Sequence, residues 1–280
     1  MPARTITTLP PDITVALFLA GNRKLVLLEG PSDCDVFREW YRDQLDSLEF
    51  YDASGVINVR NMLEKALEVG TKKEVFGIID RDFRTDEEVE HPLNDPSARL
   101  FLLRRYSIEN YVLEPEAWNE ELRVFYGKMH KVPTKAKIET QLLELCKQLR
   151  PIMAVNWILS EAGSESEHLG YGYDISQRAS MIQYASTALG CTIEEAEVSV
   201  QEKERSLDTR LTTLDSAHTC TNGKHLWHRA YALYVIPIKP NIPPNYLLRL
   251  LARSVKPRIH PDIRQIVEER ILGGGQVSSG

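Results

Sequence analysis

The stretch Phe76-Gly-Ile-Ile-Asp-Arg-Asp82 constrains this chain more than any other. A short apolar run stopped abruptly by two aspartates, one residue apart, reads as a buried strand. Its last residues leave the sheet and present carboxylates at the carboxyl edge. Two other runs behave alike. Leu25-Val-Leu-Leu28 stops at Glu29-Gly30, and Leu100-Phe-Leu-Leu103 leads toward Glu109. Three apolar strands that discharge acids on one side of a sheet point to a metal site.

Helical patterns separate these runs. After the Gly30-Pro31 turn, Ser32 is placed as an N-cap, and Val36, Phe37, Trp40, Tyr41 and Leu45 share a helical face. Glu49–Ala53 reads as a second strand. Val59, Met62, Leu63, Ala66 and Leu67 form a helix closed by Gly70, and Glu74–Asp80 is the third strand. The acidic stretch Arg84–Ser97, with Pro92 and Pro96, reads as a loop before a fourth strand, Arg99–Arg105. This alternation predicts an α/β fold with a doubly wound, Rossmann-like parallel sheet, whose ligands bind outside the carboxyl ends of the strands.

Beyond Glu114 the pattern is helical, with an amphipathic stretch at Ile138–Leu149, an apolar one at Pro151–Ala162 and a glycine-rich loop at Ser164–Tyr173. The expected plan is a lead-in over 1–24, an α/β domain over 25–115, a mainly helical extension over 116–272 and a disordered tail over 273–280.

Charge is uneven. The chain carries −6 overall, but Thr221–Leu272 holds nine Lys or Arg against three acids, which leaves −12 on the rest. A basic end on an acidic body suits a grip on nucleic acid beside an acidic metal centre, or docking on an acidic partner. Arg249, Arg253, Lys256 and Arg258 are the candidate nucleic-acid contacts; the alternative is a solvated helix face. No apolar run approaches the roughly 20 residues of a membrane span, and no signal-peptide design opens the chain, so a cytoplasmic protein without membrane contact is expected. The cysteines Cys34, Cys146, Cys191 and Cys220 are scattered, as reduced thiols would be. Cys220, His225 and His228 lie close in sequence but lack the paired spacing usual for zinc.

Glu29, Asp33, Asp80, Asp82 and Glu109 are the candidate ligands. Crowded carboxylates raise each other's pKa unless a cation neutralises them, and hard oxygen donors suit Mg²⁺ or Mn²⁺. Asp33 lies one turn into the helix after Glu29 and can point back; alternatively it compensates the helix dipole. Gly30 lets backbone approach a phosphate. Asp80 and Asp82 alternate along an extended chain and so face one side. Arg81 between them contacts phosphate or points into solvent. The chemistry that calls for such a set is phosphoryl transfer or phosphodiester hydrolysis.

Leu-Leu-Glu29-Gly-Pro-Ser-Asp33 followed by Gly-Ile-Ile-Asp80-Arg-Asp82 resembles a TOPRIM domain, with its glutamate after the first strand and DxD after the third. With Tyr106-Ser-Ile-Glu109-Asn-Tyr-Val112, it resembles the compact OLD-like TOPRIM nucleases found beside an ABC-type ATPase in bacterial anti-phage systems of the PARIS type. The resemblance covers residues 25–115. It implies that Glu29 is the catalytic, metal-binding acid and that Asp80 and Asp82 are catalytic metal ligands. It assigns Glu109 to a second metal, Asp33 to an assisting role, and a transition-state lysine for which Lys224 is the candidate. It also implies a toxic effector held by the ATPase partner, released on infection and open to homodimer formation, with transfer RNA a substrate by analogy.

Two other functions compete. One is a non-catalytic TOPRIM-like module that docks on its partner. The other is a haloacid-dehalogenase-type phosphatase, with Asp80 as nucleophile. That motif wants Thr or Val two residues after the second Asp, where Arg84 stands, and it leaves Glu29 unexplained.

Overall fold

The structure is a computed structural model that describes residues 12–68, 74–126, 132–164, 168–238 and 242–273. The first eleven residues of the lead-in, the Gly70 helix stop and all but the first residue of the expected 273–280 tail lie outside the described residues.

Two compact units divide the chain. One gathers residues up to Ile79, Glu90–Leu102 and Ile263 onward; the other gathers Asp80–Val89 and Leu103–Asp262.

The first unit contains the sheet. Strands β1 (Lys24–Leu28), β2 (Leu48–Asp52), β3 (Val75–Ile79) and β4 (Leu100–Leu102) are all parallel, in the order β2-β1-β3-β4. They match the predicted runs to within a few residues. Leu25–Leu28 and all of β3 are buried, the burial expected of a parallel strand covered on both faces. Leu27 stands opposite Tyr51 on one side and Gly77 on the other, and Gly77 stands opposite Leu100. At Gly77 an added Cβ would lie 2.8 Å from Leu100 Cδ1 and 2.9 Å from Val59 Cγ1, so the glycine lets its neighbours close in.

Helix α1 (Ile13–Ala20) precedes β1, α2 (Pro31–Trp40) joins β1 to β2, and α3 (Val56–Glu68) joins β2 to β3. The crossover from β1 to β2 runs to one side of β1, and the next returns past β1 to β3 on its other side. The carboxyl ends of β1 and β3 therefore flank a topological switch point.

The expected loop over Arg84–Ser97 is largely a helix, α4 (Asp86–Asn94). Thr85 and Glu88 form a capping box. Glu88 N–H donates to Thr85 Oγ1 at 3.2 Å, and Thr85 N–H donates to Glu88 Oε2 at 2.8 Å. Asp86, Glu87 and Glu88 sit in the first turn, where the helix dipole favours them. Pro92 lies near the end of the helix and does not break it.

The second unit is helical. Its elements are α5 (Glu109–Val112), α6 (Pro115–Tyr126), α7 (Lys135–Glu161), α8 (Arg178–Leu189), α9 (Ile193–Arg210), α10 (Leu214–His218), α11 (Gly223–Tyr234) and α12 (Pro244–Val255). The expected helix at Ile138–Leu149 and the apolar stretch after it are one 27-residue helix that runs through Pro151. Helix α7 is the axis of this unit and packs against α6, α8, α9, α10 and α11. Trp118 is fully buried, with ring centroids 5.9 Å from Trp227 and 5.1 Å from Tyr234.

The closing segment α13 (Pro261–Arg264) continues as a π-helix over Gln265–Ile271. In the sheet unit, Arg270 donates to the carbonyls of Pro92, Leu93 and Asp95, and Lys24 Nζ donates to Ile271 O at 2.8 Å.

Candidate active site

In the sheet unit, Glu29 follows β1 and is half-buried. Its carbonyl accepts from Gly55 N–H at 2.8 Å, and Leu28 O accepts from Ala53 N–H at 2.8 Å, which ties the exit of β1 to the turn after β2. Gly30 adopts an extended backbone open to any residue, and a Cβ there would meet only Asp33 and Ser32, at 3.8 and 3.9 Å. The glycine therefore relieves neither a clash nor backbone strain. Asp33 is buried in the first turn of α2, where its Oδ2 accepts from Gly30 N–H at 3.0 Å. That carboxylate caps its own helix.

The DxD opens the helical unit. Asp80 and Arg81 are buried. The chain does not stay extended through Asp82, which adopts a left-handed backbone with φ of 51°. Aspartate enters this region more readily than most residues. The turn is held from both sides. Asp82 N–H donates to Tyr106 O at 3.1 Å, and Arg84 N–H donates to Arg81 O at 3.1 Å. Arg84 folds back, its Nη1 donating to the carbonyls of Asp80 and Arg81 at 3.1 Å each. The strict alternation expected of Asp80 and Asp82 thus ends at a turn imposed by tertiary hydrogen bonds.

Arg81 is neither a solvent-facing residue nor a free phosphate contact. Its side chain is 3% exposed. Nε donates to Arg84 O and Nη1 to Arg104 O, both at 3.0 Å, and Nη2 pairs with Asp86. The hydrogen bond from Arg81 holds the Asp86 carboxyl below its ordinary range.

Tyr106 connects the DxD to the Glu109 segment. Burial pushes its phenol far above the ordinary value, the Asp82 carboxylate adds to the shift, and a hydrogen bond with the Asn222 side chain opposes it. Its backbone N–H donates to His218 O at 2.8 Å. Glu109 is buried at the start of α5, and its Oε2 accepts from Ser107 Oγ at 2.7 Å. The first turn of α11 lies against this segment. A Cβ added at Gly223 would stand 2.6 Å from Asn110 Oδ1 and 3.0 Å from Glu109 Cβ, and closer still to Ser107 Oγ. Asn110 Nδ2 donates to Thr221 O at 3.0 Å. Lys224 is the next residue, exposed on α11. Burial lowers the pKa of His228, one turn further on, against the pull of the Glu109 carboxylate.

The helical unit therefore brings four expected residues into neighbouring segments: Asp80, Asp82, Glu109 and Lys224. The sequence did not single out Arg81 as a buried anchor, Tyr106 as a link or Gly223 as a contact point. Among the candidate nucleic-acid contacts, Arg249 and Arg253 are exposed on α12. Arg258 is paired with Glu120 at 3.2 Å and Glu116 at 3.9 Å.

Among the described residues, no three His, Cys, Asp or Glu side chains converge closely enough to share a metal ion. This holds for the acids and for Cys220, His225 and His228. Burial drives His225 down to about 4, and the four cysteines are free thiols. Among the described residues, no helix is long and apolar enough to cross a membrane. Compared with known proteins, the chain matches no family model and no curated protein.

Proposed function

We propose that this chain is a metal-dependent TOPRIM-type endonuclease that acts as a toxic effector in anti-phage defence under the control of an ABC-type ATPase partner. One observation carries the reading. Strands β1 and β3 are parallel neighbours, so the residues that follow them, Glu29 and Asp80, leave the sheet at the same edge, beside the switch point. This adjacency is shared by doubly wound parallel sheets in general, so the TOPRIM reading rests on the glutamate and the DxD that follow the two strands.

The donor set suits Mg²⁺ or Mn²⁺, since it is made of carboxylate oxygens. Glu29, Asp80 and Asp82 are the residues that would hold the ion. Asp33 is engaged in capping α2 and Glu109 accepts from Ser107, so both enter as supports. When bound, the metal would polarise the scissile phosphate and lower the pKa of an attacking water. Lys224, exposed beside the Glu109 segment, would contribute positive charge where negative charge develops on the phosphoryl oxygens. Gathering of the ligands is left to the binding of metal and substrate.

Replacing Glu29 with Ala tests this reading. Mg²⁺-dependent cleavage of RNA and DNA should fall at least about a hundredfold, the scale of losing one transition-state-stabilising group, and toxicity on expression should disappear. A Glu29→Ala protein that cleaves and kills like the parent would sink the proposal. The second reading is a non-catalytic docking module, in which the acids serve the fold as Asp33 does in capping α2. That reading prevails if neither protein cleaves while both bind the ATPase.

A further inference from the structure

A cavity of about 200 Å³ lies in the helical unit, away from the DxD turn in sequence and lined by none of its residues. Its chemistry is organised by Asp262, which is fully buried. That carboxylate accepts from the Tyr111 hydroxyl and from Arg104 N–H at 3.3 Å, and it pairs with His260 Nδ1. The pairing through Nδ1 fixes the imidazole at the edge of the cavity, which His260 lines with a third of its side chain exposed.

Three permanent cations line the same space: Arg105, Lys135 and Arg258. Arg105 is 6% exposed, and its buried Nε has no hydrogen-bond partner. Its other nitrogens hold Glu114 and, at 2.9 Å, Asp215. The remaining carboxylate of the lining is Glu116. It lies 3.1 Å from Lys135 Nζ and 3.9 Å from Arg258 Nη1, and its side chain is 45% exposed. Half-exposed pairs of this kind hold weakly. Glu116 thus lies between two cations, of which Arg258 also holds Glu120 at 3.2 Å in a pair as exposed as its own, so a stronger anion can replace these weak pairs.

We infer that this cavity binds a phosphate group. A tetrahedral dianion carries more charge and more acceptor oxygens than the Glu116 carboxylate, and an ammonium and a guanidinium fork can hold it at once. The site gives Arg258 a phosphate to hold independently of any metal chemistry at Glu29. The group can come from a small phosphate ester or from the phosphorylated end of a nucleic acid.

The test is isothermal titration of the full chain at constant ionic strength, with a chelator present so that no divalent ion contributes. The probes are inorganic phosphate and one short RNA with and without a 5′-phosphate. The parent should bind phosphate saturably. Lys135→Ala should weaken binding roughly tenfold, the loss of one charge-assisted hydrogen bond. Glu116→Gln should tighten it about threefold, because a competing weak pair is removed. Both positions are substantially exposed, so unchanged thermal unfolding of the variants verifies their folds. A preference for phosphorylated over unphosphorylated RNA, and over inorganic phosphate, assigns the site to nucleic-acid ends; inorganic phosphate bound as well as either RNA assigns it to small phosphates. No saturable binding by the parent, or binding that Glu116→Gln weakens or leaves unchanged, overturns the inference.

Discussion

Arg81→Ala should destabilise the helical unit strongly, although the residue lies between two proposed metal ligands. The guanidinium makes two 3.0 Å bonds to the carbonyls of Arg84 and Arg104 and is 3% exposed. Each bond from a charged donor to a buried acceptor contributes about 1.5–3 kcal/mol, and its removal leaves a carbonyl without its donor. Two such bonds give about 3–6 kcal/mol, trimmed to about 3–5 because water can enter the space left behind. The Asp86 pair adds little, since the Asp86 side chain is 76% exposed. A loss of that size is a large fraction of the roughly 5–15 kcal/mol that holds a protein of this kind folded. Urea unfolding of parent, Arg81→Ala and Arg81→Lys would measure it. Lysine, a single ammonium, should recover only part of the loss, because it cannot reach three acceptors in fixed directions. The pH dependence has a defined sign. Asp86 has a lowered pKa in the folded state, so its share is present above the unfolded carboxyl value and is lost as pH falls through the folded one. The gap between parent and Arg81→Ala should therefore narrow in acid. A loss below about 1 kcal/mol, the range of surface substitutions, would show that Arg81 is not the anchor argued here.

Two further substitutions separate packing from chemistry. Gly223→Ala should cost about 1–3 kcal/mol in thermal unfolding, the range for overpacking, because its Cβ meets Ser107, Asn110 and Glu109; a loss under about 0.5 kcal/mol, a typical surface effect, would place α11 elsewhere. Asp82→Gly should keep or raise stability by up to about 1 kcal/mol, since glycine suits a φ of 51°, while abolishing Mg²⁺-dependent cleavage. Undiminished cleavage by that variant would remove Asp82 from the ligand set.

Much of the sheet was legible in the sequence for a simple reason. A strand buried on both faces must be a short unbroken apolar run, and β1, β3 and β4 are such runs between turn residues. The α4 helix was readable too, in the Thr85-x-x-Glu88 capping box; Pro92 and Pro96 drew the reading toward a loop, yet a proline near a helix end disturbs few hydrogen bonds. The rest depends on partners far along the chain. Asp82 turns left-handed because its N–H meets Tyr106 O, and Arg81 is buried because Arg104 O accepts from it. Asp262 is fully buried through Tyr111, 151 residues away. No local pattern announces such contacts.

Strand order is the same kind of information, and it decides what the acids can mean. Apolar runs that end in carboxylates predict acids along one edge of a parallel sheet, but they do not say which acids are neighbours. In an order that kept β2 or β4 between β1 and β3, Glu29 and Asp80 would leave the sheet about two strand spacings apart, or roughly 10 Å. In the observed order β1 and β3 are adjacent, and the separation at the sheet edge falls to one spacing, about 5 Å. A single divalent ion reaches its oxygen ligands at about 2.0–2.1 Å, so it can be shared by side chains that start from adjacent strands far more easily than across an intervening one. Under the proposed reading, the adjacency that would let Glu29 and the DxD share an ion comes from the crossover that carries the chain past β1, a feature fixed by the packing of α2 and α3 on the strands and by none of the acids themselves.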